Sequence, residues 1–227
     1  MRIMFLLLAV LAVTAPFASQ AQEPAPAEEY RSGSEAYRID SETSWLRVLA
    51  YPDGPLRRFG HHHVISHHGI SGVVEVAPDP LESTFLLELA VAELKVDDPA
   101  LRELEGEDFE GEISQEDIEG TRGNMLGEEL LHGVQFPAIR IQSTAINGSL
   151  PDVDIVTKVI VKGMENTVTF PASIELMDDS FVARGEVELT HGELGLSPFS
   201  AAGGALRVRD TLVIKYEIRG SRSMEGE

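Results

Sequence analysis

The stretch TVTFPASIELMDDSFVARGEVELT, Thr167–Thr190, decides the fold. In its first half Val168, Phe170, Ala172, Ile174 and Leu176 share one face, while Thr167, Thr169, Ser173 and Glu175 share the other. In its second half Phe181, Ala183, Val187 and Leu189 oppose Arg184, Glu186, Glu188 and Thr190. Strict period two over this length means strands with one dry and one wet face, the mark of an antiparallel sheet. Met177-Asp178-Asp179-Ser180 between the halves reads as a hairpin turn.

The same pattern extends in both directions. TLVIKYEIR opposes Leu212, Ile214, Tyr216 and Ile218 to Val213, Lys215, Glu217 and Arg219. AIRIQSTAI and DVDIVTKVIVKG read as a hairpin joined across Asn147-Gly148-Ser149, since Asn-Gly is a strong turn signal. Nearer the start, SWLRVLAY sets Trp45, Leu49 and Tyr51 against Leu46 and Val48. SGVVEVA and TFLLELAVAEL follow, parted by Pro78-Asp79-Pro80. Only Asp97–Leu104 and Ser114–Leu131 have helical character, with Asp97 and Ser114 as N-caps. The expectation is a mainly β chain of about eight antiparallel strands with a short helical insertion covering one end. A sheet of that size with one dry face must bury it by closing into a barrel or a sandwich.

The ends have a different character. Arg2, the apolar run Ile3–Val13 and Ser19-Gln20-Ala21 form the layout of a signal peptide over 1–21, which implies export to the periplasm. Residues 22–36 are rich in Pro, Ala, Glu and Ser and read as a flexible linker. The domain is expected over 37–220 and a disordered tail over 221–227. No later segment has about 18 consecutive apolar residues, so no integral span is expected after cleavage.

Charge narrows the function. Loss of the leader removes one arginine and leaves 17 basic against 38 acidic residues, a net charge of −21. Such a field repels a phosphate backbone and argues against nucleic acid. Nine acidic residues fall between Glu103 and Glu119, and they read as a solvated acidic segment. With no cysteine in the chain, thiolate chemistry is excluded. No Gly-x-Ser-x-Gly elbow, phosphate loop or His-Glu-x-x-His helix is present, so the chain does not read as an enzyme.

Two candidate sites remain. The dry-face residues Trp45, Phe85, Val168, Phe170, Ile174, Phe181, Ala183, Leu189, Leu212, Ile214 and Tyr216 either line a cavity or pack on each other. In FGHHHVISHHG, Phe59–Gly69, five of the seven histidines occupy eight positions. On a strand His61 and His63 project to one face, and a turn at Ser66-His67 would let His67 or His68 join them around Zn²⁺ or Cu²⁺. The same histidines also suit a polar gate at a barrel mouth, contacting a quinone, a lipid head group or a haem.

Several segments, in order, resemble the YceI-like, or polyisoprenoid-binding, periplasmic family. They are YRIDSETSWLRV, GISGVVEVAPDPLEST, TRGNMLGEELLHGVQFPAIRIQST, VIVKGMENTVTFPASIEL and HGELGLSP, and they span Tyr37 to Arg219. The resemblance implies a lipocalin-like barrel, covered by a helix, that holds an isoprenoid or quinone-like lipid as carrier or reservoir. The chain departs from the family pattern in its acidic segment, in MLGEELLHGV where aromatics are usual, and in HHHVISHH where one histidine is usual. An apolar lipid is therefore the expected partner, with no cofactor required and a homodimer admissible. A periplasmic metal-binding protein using His61–His68 and an envelope stress or interaction protein with a solid barrel are the alternatives.

Overall fold

In a computed structural model the described residues are 33–223. The signal peptide and most of the linker lie outside them. Among the described residues fourteen strands follow in chain order: β1 (Glu35–Ile39), β2 (Trp45–Ala50), β3 (Pro52–Asp53), β4 (His63–His68), β5 (Ser71–Val76), β6 (Thr84–Ala90), β7 (Lys95–Val96), β8 (Ala138–Ser149), β9 (Asp152–Val161), β10 (Met164–Leu176), β11 (Ser180–Thr190), β12 (Ser200–Ala201), β13 (Leu206–Val208) and β14 (Thr211–Arg222). Two helices, α1 (Pro99–Leu104) and α2 (Gln115–Leu126), lie between β7 and β8.

Eight strands close a ring in the order β1-β5-β6-β8-β9-β10-β11-β14, with β14 pairing back to β1. Every ladder is antiparallel. The register of the deciding hairpin sets Ile174 opposite Ala183 and Leu176 opposite Phe181, so the two dry faces coincide. Closure removes the open edges that an eight-stranded sheet would expose.

One end of the ring is extended. β14 uses the same edge for β1, near Gly220, and for β2, near Ile214, so β1 and β2 lie along it in succession. β2 then pairs with β4, and β4 with β7. Among the described residues no ladder joins β7 to β8. Helix α2 fills this gap. Met125, with Ile118 and Leu126 partly buried, packs on Val91, Leu94, Val96 and Val161, and Arg122 donates to the carbonyls of Ala92 (2.7 Å) and Leu94 (3.3 Å). An uncovered strand edge is thus covered by a helix.

An outer layer lies on β2, β4 and β14. Phe109, buried to 2% exposure, packs against Leu49 and Val64, with Tyr51, Leu101 and Val213 around it. The acidic segment is therefore not wholly solvated. Glu105 turns in beneath this layer and is held by Arg47 (3.0 Å) and Lys215 (2.6 Å), side chains of β2 and β14. Burial pushes its carboxyl up, but the two cations outweigh that and leave it below the ordinary glutamate range.

Several boundaries differ from the sequence expectation. β1 begins at Glu35, inside the expected linker, because pairing with β5 starts at Glu35–Val76. β14 continues to Arg222, into the expected tail, because β1 covers its end. Asp98, not Asp97, caps α1, its carboxylate accepting from the Ala100 and Leu101 amides. Ser114 caps α2 as expected, but that helix stops at Leu126, before Gly127. The β8–β9 turn falls at Leu150-Pro151 rather than Asn147-Gly148, since β8 pairs with β9 through Ser149.

Candidate functional site: a two-chambered tunnel

Inward-facing side chains of the barrel leave two adjoining chambers. The wider, of about 620 Å³, lies at the extended end, under α2 and the loop after β11. The narrower, of about 130 Å³, runs toward the other end, where Pro80, Leu150 and Leu176 contribute to its wall. Leu46, Leu89, Ile141 and Phe170 belong to both walls and form the waist between them. The wider chamber falls within the range of roughly 300–1,000 Å³ common for small-molecule sites.

The narrow chamber carries no charged side chain. The hydroxyl of Tyr216 in its wall is committed to the Pro171 carbonyl at 2.7 Å. Burial pushes that phenol far above its ordinary range, so it stays neutral.

Of the residues expected to line an interior, Phe85, Ile174, Phe181, Ala183 and Tyr216 lie on the narrow chamber, Leu212 and Ile214 on the wide one, and Phe170 on both. Val168 and Leu189 instead pack into the core with Val159 and Ile214 and reach neither chamber. Trp45 lies on neither wall. Its ring sits under the Arg47 guanidinium, 4.3 Å from the centroid, while Leu46 and Val48 of the alternate parity face inward. Arg47, in step with Trp45, was the signal in the sequence that this face of β2 is not the tunnel face. Leu89, Ile139 and Ile141 are wall residues that the sequence reading missed.

The histidines separate. His61 and His63 line the wide chamber with ring centroids 6.1 Å apart, as their two-residue spacing required. His62 points away, against Tyr51 and Phe109, with Nδ1 2.6 Å from the Asp108 carbonyl. The turn at Ser66-His67 on which His67 or His68 would have joined them is absent: β4 runs unbroken from His63 to His68. At a strand's rise, roughly 13 Å of chain separates His63 from His67, so the four-histidine metal set is not assembled. His67 is buried with Nε2 3.0 Å from the Ala90 carbonyl, and burial holds its pKa below the ordinary value. His68 is exposed. Among the described residues no three His, Asp or Glu side chains are grouped to hold a metal ion.

His63 is anchored instead of free. Its Nδ1–H donates to Asp97 Oδ2 at 2.6 Å. Asp97 is buried, adopts a left-handed backbone (φ 55°) and accepts from the Val64 amide (2.9 Å) and the Arg102 guanidinium (2.8 Å) through Oδ1. Burial works to raise its pKa, but the His63, Val64 and Arg102 contacts prevail and lower it. Asp97 is therefore ionised and can only accept, which assigns the proton of a neutral His63 ring to Nδ1. His191, at the start of the loop after β11, also lines the wide chamber. Its Nδ1 lies 2.8 Å from the Asp210 carbonyl, which again only accepts.

No family model matches the sequence, and no curated protein matches it. Solved structures do match in fold. Burkholderia cenocepacia BcnA superposes with a TM-score of 0.57 at 13% identity, covering 80% of this chain and 98% of that one. Campylobacter jejuni YceI superposes with a TM-score of 0.51 at 8% identity, covering 71% and 85% respectively. A cysteine mutant of that same protein gives 0.52 at 7%. At these identities the likeness is one of architecture, and the architecture of this chain is the YceI-like barrel.

Proposed function

We propose that the protein is an exported periplasmic carrier or reservoir for a long apolar lipid of isoprenoid or quinone-like type. One observation supports this reading: the barrel interior holds two adjoining, mainly apolar chambers that share Leu46, Leu89, Ile141 and Phe170 in their walls, rather than a solid core. A polyprenyl chain offers no hydrogen bonds, and the narrow chamber asks for none. Each buried methylene contributes about 0.8 kcal/mol, so affinity comes from chain length and shape. The resemblance of YRIDSETSWLRV and HGELGLSP to the polyisoprenoid-binding family supports the ligand class, and Arg2 through Ala21 supports export. The mechanism is passive: the tail threads past Phe170 and Leu46 into the narrow chamber, and the head stays in the wide one.

The test is a chain-length series on the folded protein. Geraniol, farnesol and geranylgeraniol are expected to bind with affinity rising at each step. Ala183→Trp, which fills the narrow chamber, is expected to abolish the last gain and leave the first. Affinity independent of chain length would overturn the reading.

A further inference from the structure

The wide chamber contains a specific hydrogen-bonding pattern, weighted toward acceptors. His63 and His191 both give their Nδ1–H to groups that only accept, the Asp97 carboxylate and the Asp210 carbonyl. In each neutral ring this leaves Nε2 as a lone-pair acceptor, and neither Nε2 has a partner among the described residues. His191 as a whole is 4% exposed. Glu116 and Asp117, exposed residues on the first turn of α2, border the same wall, Asp117 already accepting from the Ser114 hydroxyl at 2.6 Å. Thr121 and Asn124 of α2 also reach it, but a hydroxyl and an amide each donate and accept, so they leave the balance as it stands. The one lysine or arginine on that wall, Arg207, is already engaged by Asp53 through Nε (2.9 Å) and Nη2 (2.7 Å).

Given the carrier reading, on which this inference rests, we infer that the wide chamber selects an uncharged head group that donates hydrogen bonds: a hydroxyl, as in a long-chain alcohol or a dihydroxy aromatic. Three alternatives fit less well. A phosphate or carboxylate head meets two carboxylates and no free cation. A carbonyl or ether head brings only acceptors to Nε2 of His63 and of His191 and satisfies neither, the one imidazole on that wall left to donate to it being His61. An ammonium head must lose its hydration among the apolar side chains that form most of the wall.

The pattern has a chemical consequence for a redox-active lipid. A quinol donates through both hydroxyls, whereas the corresponding quinone only accepts. The chamber therefore discriminates the reduced from the oxidised form of a quinone-like ligand without any redox step of its own.

The test uses geranylgeraniol, its methyl ether, its monophosphate and the corresponding primary amine, titrated into the folded protein at pH 8. The alcohol is expected to bind about tenfold tighter than the ether, the worth of one net hydrogen bond. It should also bind more tightly than the phosphate and the amine. In His63→Leu and His191→Leu the alcohol should approach the ether while ether binding is retained. If a variant fails to fold, the ligand comparison on the unaltered protein still decides. An ether equal to the alcohol, or a preferred phosphate or amine, overturns the head-group inference but leaves the carrier reading standing. Failure of all four to bind overturns the carrier reading itself.

Discussion

His63 Nδ1 and Asp97 Oδ2 stand 2.6 Å apart, joining an imidazole on the tunnel wall to a carboxylate buried past the end of β7. Asp97 also binds Arg102 of α1, so one carboxylate connects the wide chamber with the outer helical layer. One buried carboxylate thus bonds both a side chain of the chamber wall and the helical layer outside the barrel.

Removal of that carboxylate leaves Arg102, itself 7% exposed, as an uncompensated buried cation. Asp97→Ala is expected to destabilise the fold by about 3–5 kcal/mol, and Asp97→Asn by less, because the amide oxygen still accepts. Urea denaturation of the three proteins side by side checks the order. Asp97→Ala with unchanged stability would show that Arg102 finds another partner.

Acid should act through the same groups. Asp97 and Glu105 are both held below their ordinary range, so each contributes stability that is complete above its unfolded pKa, near 4. The contribution is lost as pH falls through the lower folded value. Stability is expected to fall as pH drops below about 4, and the slope should be shallower in Glu105→Gln. Melting temperature against pH for both proteins provides the measurement.

Gly185 is fixed by the narrow chamber's wall. A Cβ there would collide with the Pro171 carbonyl and the Tyr216 ring, which are themselves hydrogen-bonded to each other. Gly185→Ala must displace that pair, at an expected cost of about 1–3 kcal/mol. Chemical denaturation checks the cost, and a neutral result would show that Tyr216 swings away freely.

Trp45, the only tryptophan, lies outside the tunnel beneath Arg47. Loading the tunnel with an apolar alcohol should leave its emission maximum unchanged, whereas Arg47→Ala should shift it. A large shift on loading would place the indole against the ligand.

This tryptophan also shows where sequence reading succeeds and where it stops. The strands β10, β11 and β14 were legible because each carries a wet face, and Arg184, Glu186 and Lys215 mark it. β2 and β4 are buried on both faces, Leu46 and Val48 toward the tunnel and Leu49 and Val64 beneath Phe109. Their alternation therefore gives two largely apolar sides, and on β2 Arg47 alone marks the outward one. The inward pair His61 and His63 followed from spacing alone, but the partners Asp97 and Asp210 are long-range neighbours that no local pattern encodes. Alternation likewise marks a dry face without showing whether it is filled: Val168 is packed, while Phe170, two residues on, bounds the waist of a tunnel.

The central claim is that the barrel carries a long apolar lipid, and native mass spectrometry of untagged protein purified without detergent from the cells that make it tests it most directly. The account predicts protein with a retained lipid of defined mass, released on denaturation and diminished in Ala183→Trp. Protein that is uniformly empty, and that takes up no polyprenol or quinol when these are supplied, would contradict it.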